Sequence, residues 1–382
     1  MSTNNFSKYV RQWYRQYYTT SKRQLYFQFH ITRACESRCP HCYFRDLSVQ
    51  KGTLTLEQCK HIIDQIVSAS NAYGLNALVD FTGGDPLLHP NIYEILEYAS
   101  QNDISVGLKC NSHQITKKSI DKLKQVNVER IYLSLEGLEN ANDRIRGVGD
   151  FSRTTAAIAM LKNEGLYVRV HMTISKQNCS EVIPLMNFFL ENKYIIDVFS
   201  WSRFWTDTNK KMLLDKNELS QIMFDQLAFL EQNYNDNKFY IELDNGRVTP
   251  RIGFEFKEHL WFPFLYRLGY IDDITYRYLS ETENSVNCTS TRNVFIIDNN
   301  GDIYKCRKIE ASIIGNAFHS TVLAAITSEK NRCYENLKRY SVCGNCSFFN
   351  VCAGCPAIAL AKRMDQYSGD PDCFIHSLDI NR

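Results

Sequence analysis

Apolar positions in the first two hundred residues follow two alternating periods. Runs rich in β-branched or aromatic residues at 25–32, 77–82, 105–109, 130–135, 167–174 and 195–201 predict strands. Between them, apolar residues recur at helical spacing over 56–72, 92–101, 117–126, 152–164 and 180–191. The segment opening at Thr55 reads Thr-Leu-Glu-Gln, close to a helix N-terminal capping box. Such a repeated strand–helix order predicts an α/β fold, a parallel sheet with helices outside it. An open sheet and a partial barrel both satisfy these connections.

The rhythm breaks between about 202 and 287. A helix is expected over 216–234, followed by a stretch carrying Phe254, Phe256, Trp261, Phe262, Phe264, Tyr266 and Tyr270. This stretch reads as a core bridging two domains or as a wall of a substrate cavity, since clefts often lie at domain interfaces. No repeat or low-complexity linker interrupts the chain, so the second domain is expected to pack directly on the first. The expected divisions are a basic, aromatic helical segment at 1–24, an α/β region at 25–205, a bridging region at 206–287 and a cysteine-rich region at 288–382. In the first, Lys8, Arg11, Arg15, Lys22 and Arg23 stand among tyrosines, as a solvated helix face or as a surface for docking a peptide.

Composition narrows the function. A net charge of +2 gives no footprint for nucleic acid. No apolar run approaches the ~20 residues of a membrane span, and residues 1–7 lack the apolar core of a signal peptide. A cytoplasmic location is therefore expected, where the 14 cysteines are metal ligands more readily than disulfides. Three of them fall within 35–42, eight lie beyond 287, and only Cys59, Cys110 and Cys179 occupy the middle, where they read as core or surface thiols. Two metal-binding regions would produce that clustering.

The first group reads Cys35-Glu-Ser-Arg-Cys39-Pro-His-Cys42-Tyr43, directly after a predicted strand. Three thiolates on one loop can hold three irons of a cubane cluster and leave the fourth open. A structural zinc site is the alternative, but it needs a fourth ligand, and His41 is awkwardly placed beside Cys42. This Cys-x3-Cys-x2-Cys loop resembles the signature of the radical S-adenosylmethionine (SAM) superfamily. Further segments resemble that family in the same order over about 25–205. Gly83-Gly84-Asp85-Pro86 resembles the motif whose backbone contacts the SAM amino group, with Asp for Glu. Lys109-Cys110-Asn111-Ser112 resembles a Thr-Asn-Gly strand end, and Ser134-Leu-Glu136-Gly137 with Asp143-x-x-Arg146-Gly147 resembles a later pair of motifs. The resemblance implies a partial (β/α)6 barrel related to TIM barrels, with its site at the strand C-terminal ends. It also implies that Ser134 contacts the SAM ribose or carboxylate region and that Arg146 pairs with the carboxylate, a geometry suited to a guanidinium; Asp143 and Gly147 would shape the turn.

The second group reads Cys288-x12-Gly301-x4-Cys306, Cys343-x2-Cys346-x5-Cys352-x2-Cys355 and Cys373. Seven soft ligands exceed one four-ligand site, so two sites are expected, either two zinc ribbons or two clusters. The segment 294–305 reads as a hairpin returning Cys306 towards Cys288. The arrangement resembles the SPASM domain of radical SAM peptide-modifying enzymes, which carries two auxiliary [4Fe–4S] clusters, although the spacing between Cys352 and Cys355 is one residue shorter than the family's. The resemblance implies that Cys288, Cys306 and Cys355 hold the first auxiliary cluster, with a fourth position open or filled from elsewhere. Cys343, Cys346, Cys352 and Cys373 would hold the second. Cys333, in a predicted helix, reads as a buried or free thiol.

The family implies three [4Fe–4S] clusters, SAM, an electron donor such as flavodoxin or ferredoxin, and a radical taken from SAM that abstracts a substrate hydrogen. The expected function is oxidative cross-linking of side chains in a ribosomally made precursor peptide. A carbon–carbon cyclophane, as in triceptide maturases, is favoured over a thioether. Formylglycine formation of the sulfatase-maturating type is disfavoured because Arg307 replaces the Asp that follows the matching cysteine in those enzymes. A small-molecule radical SAM enzyme and a zinc-stabilised binding module are the other readings. The 24 residues before the first strand are too few for the separate leader-binding domain of some maturases.

Overall fold

The computed structural model describes residues 5–21, 23–42, 44, 52–191, 196–206, 208–236, 238–242, 248–250, 252–281, 293–335, 341–362, 364, 365 and 367–378. Lys22, Tyr43, Ile195 and Cys288, singled out above, lie outside them. The strands are β1 (Gln24–Thr32), β2 (Asn76–Gly83), β3 (Ser105–Lys109), β4 (Arg130–Ser134), β5 (Val168–Ile174), β6 (Val198–Arg203), β7 (Tyr240–Glu242), β8 (Val248–Pro250), β9 (Gly253–Glu255), β10 (Val294–Ile297), β11 (Asp302–Tyr304) and β12 (Ile313–Asn316). Among the described residues, ten form one sheet in the order β12-β11-β10-β1-β2-β3-β4-β5-β6-β9. Strands β1 to β6 run parallel in chain order, the arrangement of a partial (β/α)6 barrel. The barrel sheet continues at both edges. Strand β9 of the bridging region pairs with β6, and β10 pairs parallel with β1.

The helices up to residue 281 are α1 (Asn5–Ser21), α2 (Leu56–Tyr73), α3 (Ile92–Gln101), α4 (Lys117–Gln125), α5 (Glu139–Arg146), α6 (Asp150–Asn163), α7 (Val182–Glu191), α8 (Lys216–Asn235), α9 (Trp261–Arg267) and α10 (Asp273–Glu281). Thr55 caps α2 in the expected reciprocal box with Gln58. Along β1, Leu25, Phe27, Phe29 and Ile31 are fully buried on one face. The alternate positions, such as Tyr26, carry polar groups to the concave face, where Tyr26 bonds Asp80. None of the described helices is long and apolar enough to cross a membrane.

Two expectations change. The N-terminal helix is amphipathic in a specific way: Phe6, Val10 and Tyr14 are fully buried, against rings of Tyr234, Tyr270, Phe256 and Phe262. Its other side carries Lys8, Arg11 and Arg15, with Arg11 paired to Asp272 at 3.6 Å. Each buried aromatic contributes about 1.5–3 kcal/mol, so the helix is a structural buttress of the bridging region. Residues 139–146, for which no helix was expected, form α5; Gly147 at φ 114° ends it, and Asp143 accepts the Gly149 and Phe151 amides of the turn beyond. Phe254, Phe256, Trp261, Phe262 and Phe264 lie in the main core, which favours the bridging-core reading.

Candidate active site

The cysteine loop leaves the C-terminal end of β1, and the Gly83-Gly84 turn at the end of β2 grips its root. The Gly84 amide donates to Thr32 O at 2.8 Å and the Asp85 amide to Ala34 O at 2.6 Å. A Cβ on Gly83 would lie 2.2 Å from Thr32 O, and one on Gly84 2.1 Å from Ala34 O. Glycine is therefore required here for approach to the chain that enters Cys35, a demand separate from any ligand. Asp85 is fully buried, caps the short 3-10 helix Pro86–Leu88 through the Leu87 amide, and is pushed up to about 7 by burial.

The three cysteines differ in exposure: Cys39 is buried, Cys42 half-buried and Cys35 exposed. Burial pushes the Cys39 thiol up to about 11 and raises Cys42, while Arg146 pulls both down. Thiols so placed become ligands when a metal's charge displaces their protons. Asn111, just beyond β3, donates its Nδ2 to Cys35 Sγ at 3.2 Å. Its Oδ1 accepts from Arg146 Nη2 at 2.9 Å. Arg146 also bonds Asp150 through Nε at 3.1 Å and Glu136 through Nη1 at 3.4 Å. All three guanidinium nitrogens are thus held by protein groups, and in this structure Arg146 fixes the orientation of Asn111. Ser134 sits half-buried at the end of β4, in register with His171 of β5.

Glu136 is the residue that sequence reasoning quoted without assigning a role. It is 1% exposed, accepts the Thr173 amide at 2.8 Å, and lies 3.4 Å from both His41 Nε2 and Arg146 Nη1. It therefore ties the cysteine loop to the ends of β4 and β5. Asp298, read only as a turn residue of the β10–β11 hairpin, is buried and holds His30 at 3.2 Å, Arg33 at 2.6 Å and Arg307 at 3.1 Å. Arg33 stands two residues before Cys35, and Arg307 follows Cys306. One carboxylate thus joins the roots of both cysteine regions.

In the second region Cys343, Cys346, Cys352 and Cys373 line a single cavity of about 350 Å³, including its open mouth. Cys355 does not line it. Its sulfur accepts a hydrogen bond from His259, and its amide donates to Asp370 at 3.0 Å. Cys306 lies after β11, where its amide donates to Ser312 Oγ at 3.1 Å; Cys333 is exposed on the helix Glu329–Glu335. Between barrel and cavity, Arg203 at the end of β6 is 3% exposed and bonds Glu258 at 2.9 Å, Asp370 at 2.6 Å and Asp372 at 3.1 Å. Nothing in the sequence around Arg203 signals this role, because its partners are 55 to 169 residues away.

Residues 29–189 match the model of the radical SAM superfamily. The AdoMet-dependent heme synthase of Methanosarcina barkeri is 25% identical over 358 residues, covering 90% of this chain and 94% of the relative. The antilisterial bacteriocin subtilosin biosynthesis protein AlbA of Bacillus subtilis is 30% identical over 163 residues, covering 41% of this chain and 35% of that protein. Among solved structures, SuiB of Streptococcus suis, bound to precursor peptide SuiA, superposes with a TM-score of 0.67 at 18% identity, covering 96% of this chain and 79% of that one. The likeness runs through the cysteine-rich C-terminal region, so the fold as a whole is of the radical SAM–SPASM type. The matched domain, the fold and the thiol-bearing loop at the strand ends converge: residues 29–189 carry a radical SAM domain, the kind of enzyme domain that uses SAM and a [4Fe–4S] cluster.

Proposed function

We propose that this enzyme oxidatively cross-links side chains of a ribosomally synthesised precursor peptide, with a carbon–carbon cyclophane as the favoured product and a thioether as the second. The observation that carries the reading is the gathering of Cys343, Cys346, Cys352 and Cys373 around one cavity in a chain whose whole fold resembles a structure holding a precursor peptide. Cys35, Cys39 and Cys42 would hold the SAM-binding cluster. The donor set fits it: three sulfurs on one loop, with an amide N–H directed at Cys35 and a guanidinium field beside Cys39. Cys343, Cys346, Cys352 and Cys373 would hold one auxiliary cluster, and Cys306, Cys355 and Cys288 the other.

When bound, SAM and the cluster would supply the chemistry of hydrogen-atom abstraction, and auxiliary clusters held by the later cysteines would offer a route for the second electron. The protein's part is to orient. Gly83 and Gly84 fix the root of the loop, Arg146 turns Asn111 towards Cys35, and Glu136 braces His41. Gly83, Gly84, Asp85 and Asn111 would border SAM, with Ser134 reaching its ribose or carboxylate. A flavodoxin or ferredoxin in the cytoplasm would deliver the reducing electron.

A second reading is favoured by the heme synthase relative, whose similarity spans 90% of this chain: SAM-dependent synthesis of heme or a related tetrapyrrole. Coexpression with a short peptide encoded next to the enzyme's gene separates the two. Mass spectrometry is expected to find peptide that has lost two hydrogens for each cross-link. Unchanged peptide, with conversion of Fe-coproporphyrin III by the same preparation, would overturn the maturase reading.

A further inference from the structure

The concave face of the barrel beneath Ser134 is densely charged, and its charge is unbalanced. Asp80 on β2 is paired with Lys109 at 3.2 Å and with Arg130 at 3.0 Å. Glu255 on β9 is paired with Arg169 at 2.6 Å and with Lys257 at 3.5 Å. Arg130 also reaches the half-exposed Glu129 at 3.4 Å, so four cations share three carboxylates among these described residues and one positive charge is in surplus. The register sets them close together: Lys109 pairs with Tyr132, and Tyr132 pairs with Arg169. The Tyr132 ring lies 5.1 Å from Lys109 Nζ, 5.1 Å from the Arg169 guanidinium carbon and 6.0 Å from Lys257 Nζ.

One register step further up, His171 sits between Ser200 Oγ and Ser202 Oγ, 3.0 Å from each. It is held neutral by burial first and then by Lys257, with Lys109 and Lys308 acting in the same direction against Glu255. Surplus positive charge inside a protein is costly unless something answers it. The two lysines nearest the opening are reachable, with side chains 24% exposed for Lys109 and 35% for Lys257. Barrel enzymes place substrate at this end of the strands.

We infer that Lys109 and Lys257, backed by Arg169 and flanked by His171, form a carboxylate-recognition site in the barrel lumen, so that the substrate enters with an acidic group leading. This deepens the reading above, on which the lumen is where the substrate is held. A carboxylate seated there would answer the surplus charge and set the distance between Ser134 and the part of the substrate above it. The chemistry is shared by an acidic side chain of a peptide and by a propionate of a tetrapyrrole.

Glutarate serves as the probe, added to anaerobically reconstituted full-length protein carrying [13C]histidine, with the His171 imidazole resonance as the readout. A saturable shift is expected with glutarate and none with glutaramide at the same ionic strength. Lys257→Gln is expected to weaken glutarate binding about tenfold, the scale of one charged hydrogen bond, while SAM cleavage without substrate stays unchanged. Equal behaviour of glutarate and glutaramide, or a Lys257→Gln variant that binds glutarate as the parent does, would overturn the site. Competition then identifies the source of the carboxylate. Displacement of glutarate by an acidic form of the genomic neighbour's peptide, with its Gln-substituted form inactive, assigns the site to peptide. Displacement by coproporphyrin III assigns it to a tetrapyrrole, and displacement by neither counts against the site. Glutarate binding in a protein that leaves the peptide unmodified would sink the maturase reading and leave this site standing.

Discussion

Replacing Cys35, Cys39 and Cys42 together by alanine is expected to abolish formation of 5′-deoxyadenosine from SAM while leaving the absorbance of the auxiliary clusters in place. The three thiols are the only sulfur donors on the loop that leaves β1. Two neighbouring donors are engaged elsewhere, His41 with Glu136 and Asn111 with Arg146. The sulfurs of the proposed auxiliary sites lie on other segments, and the cavity shared by Cys343, Cys346, Cys352 and Cys373 is lined from 260–263, 343–354 and 370–376. Iron content should fall by about four per chain, one cluster's worth. Retention of SAM cleavage by the triple variant would contradict the assignment of these ligands.

Arg203→Met is expected to destabilise the fold by about 3–5 kcal/mol, the range for removing one member of a buried ionic network. Arg203, His259 and Lys362 face Glu258, Asp370 and Asp372. Burial opposes charging of His259, yet Glu258 and Asp370 hold its pKa well above the ordinary value. Three cations thus balance three carboxylates, and methionine in place of Arg203 leaves one buried carboxylate uncompensated. Arg203→Lys should recover only part of the loss, because an ammonium cannot serve three carboxylates with a planar fork. Denaturant unfolding followed by tryptophan fluorescence reads the effect. A change below about 1 kcal/mol, the scale of an exposed pair, would show that the network is not the joint between barrel and C-terminal region.

Much of the barrel was legible because its strands and helices obey local periodicity. Residues 105–109 and 92–101 coincide with β3 and α3, since each is bounded by residues that end the pattern. Strand β6 begins later than its apolar run suggests, at Val198, because Asp197 turns back to accept the Val168 amide and Lys162. Helix α5 was hidden by its charged, low-hydropathy sequence, Glu-Asn-Ala-Asn-Asp-Arg-Ile-Arg. The joining of β10 to β1 could not be read, because a parallel pairing across more than 260 residues leaves no local trace. The same holds for the site. The cysteines and the glycines announce themselves by spacing. Glu136, Asp298 and Arg203 act through partners brought from distant segments, and a lone buried charge has no sequence pattern of its own.

The charges of the lumen were missed for a related reason. Tyr26, Asp80, Lys109, Arg130 and Arg169 each occupy one alternate position of a different strand. Along any single strand they look like an ordinary solvated face. Only when the sheet curls do they meet one another, so a polar strand face is a surface in an open sheet and an interior in a barrel.

If the loop at Cys35 builds a SAM-cleaving centre, the protein alone must cleave SAM. The direct measurement is anaerobic incubation of the reconstituted wild-type chain with dithionite and SAM, with quantification of 5′-deoxyadenosine and methionine. Both are expected to accumulate in equal amounts, in proportion to the iron bound. A protein fully loaded with iron and sulfide that leaves SAM intact would contradict it.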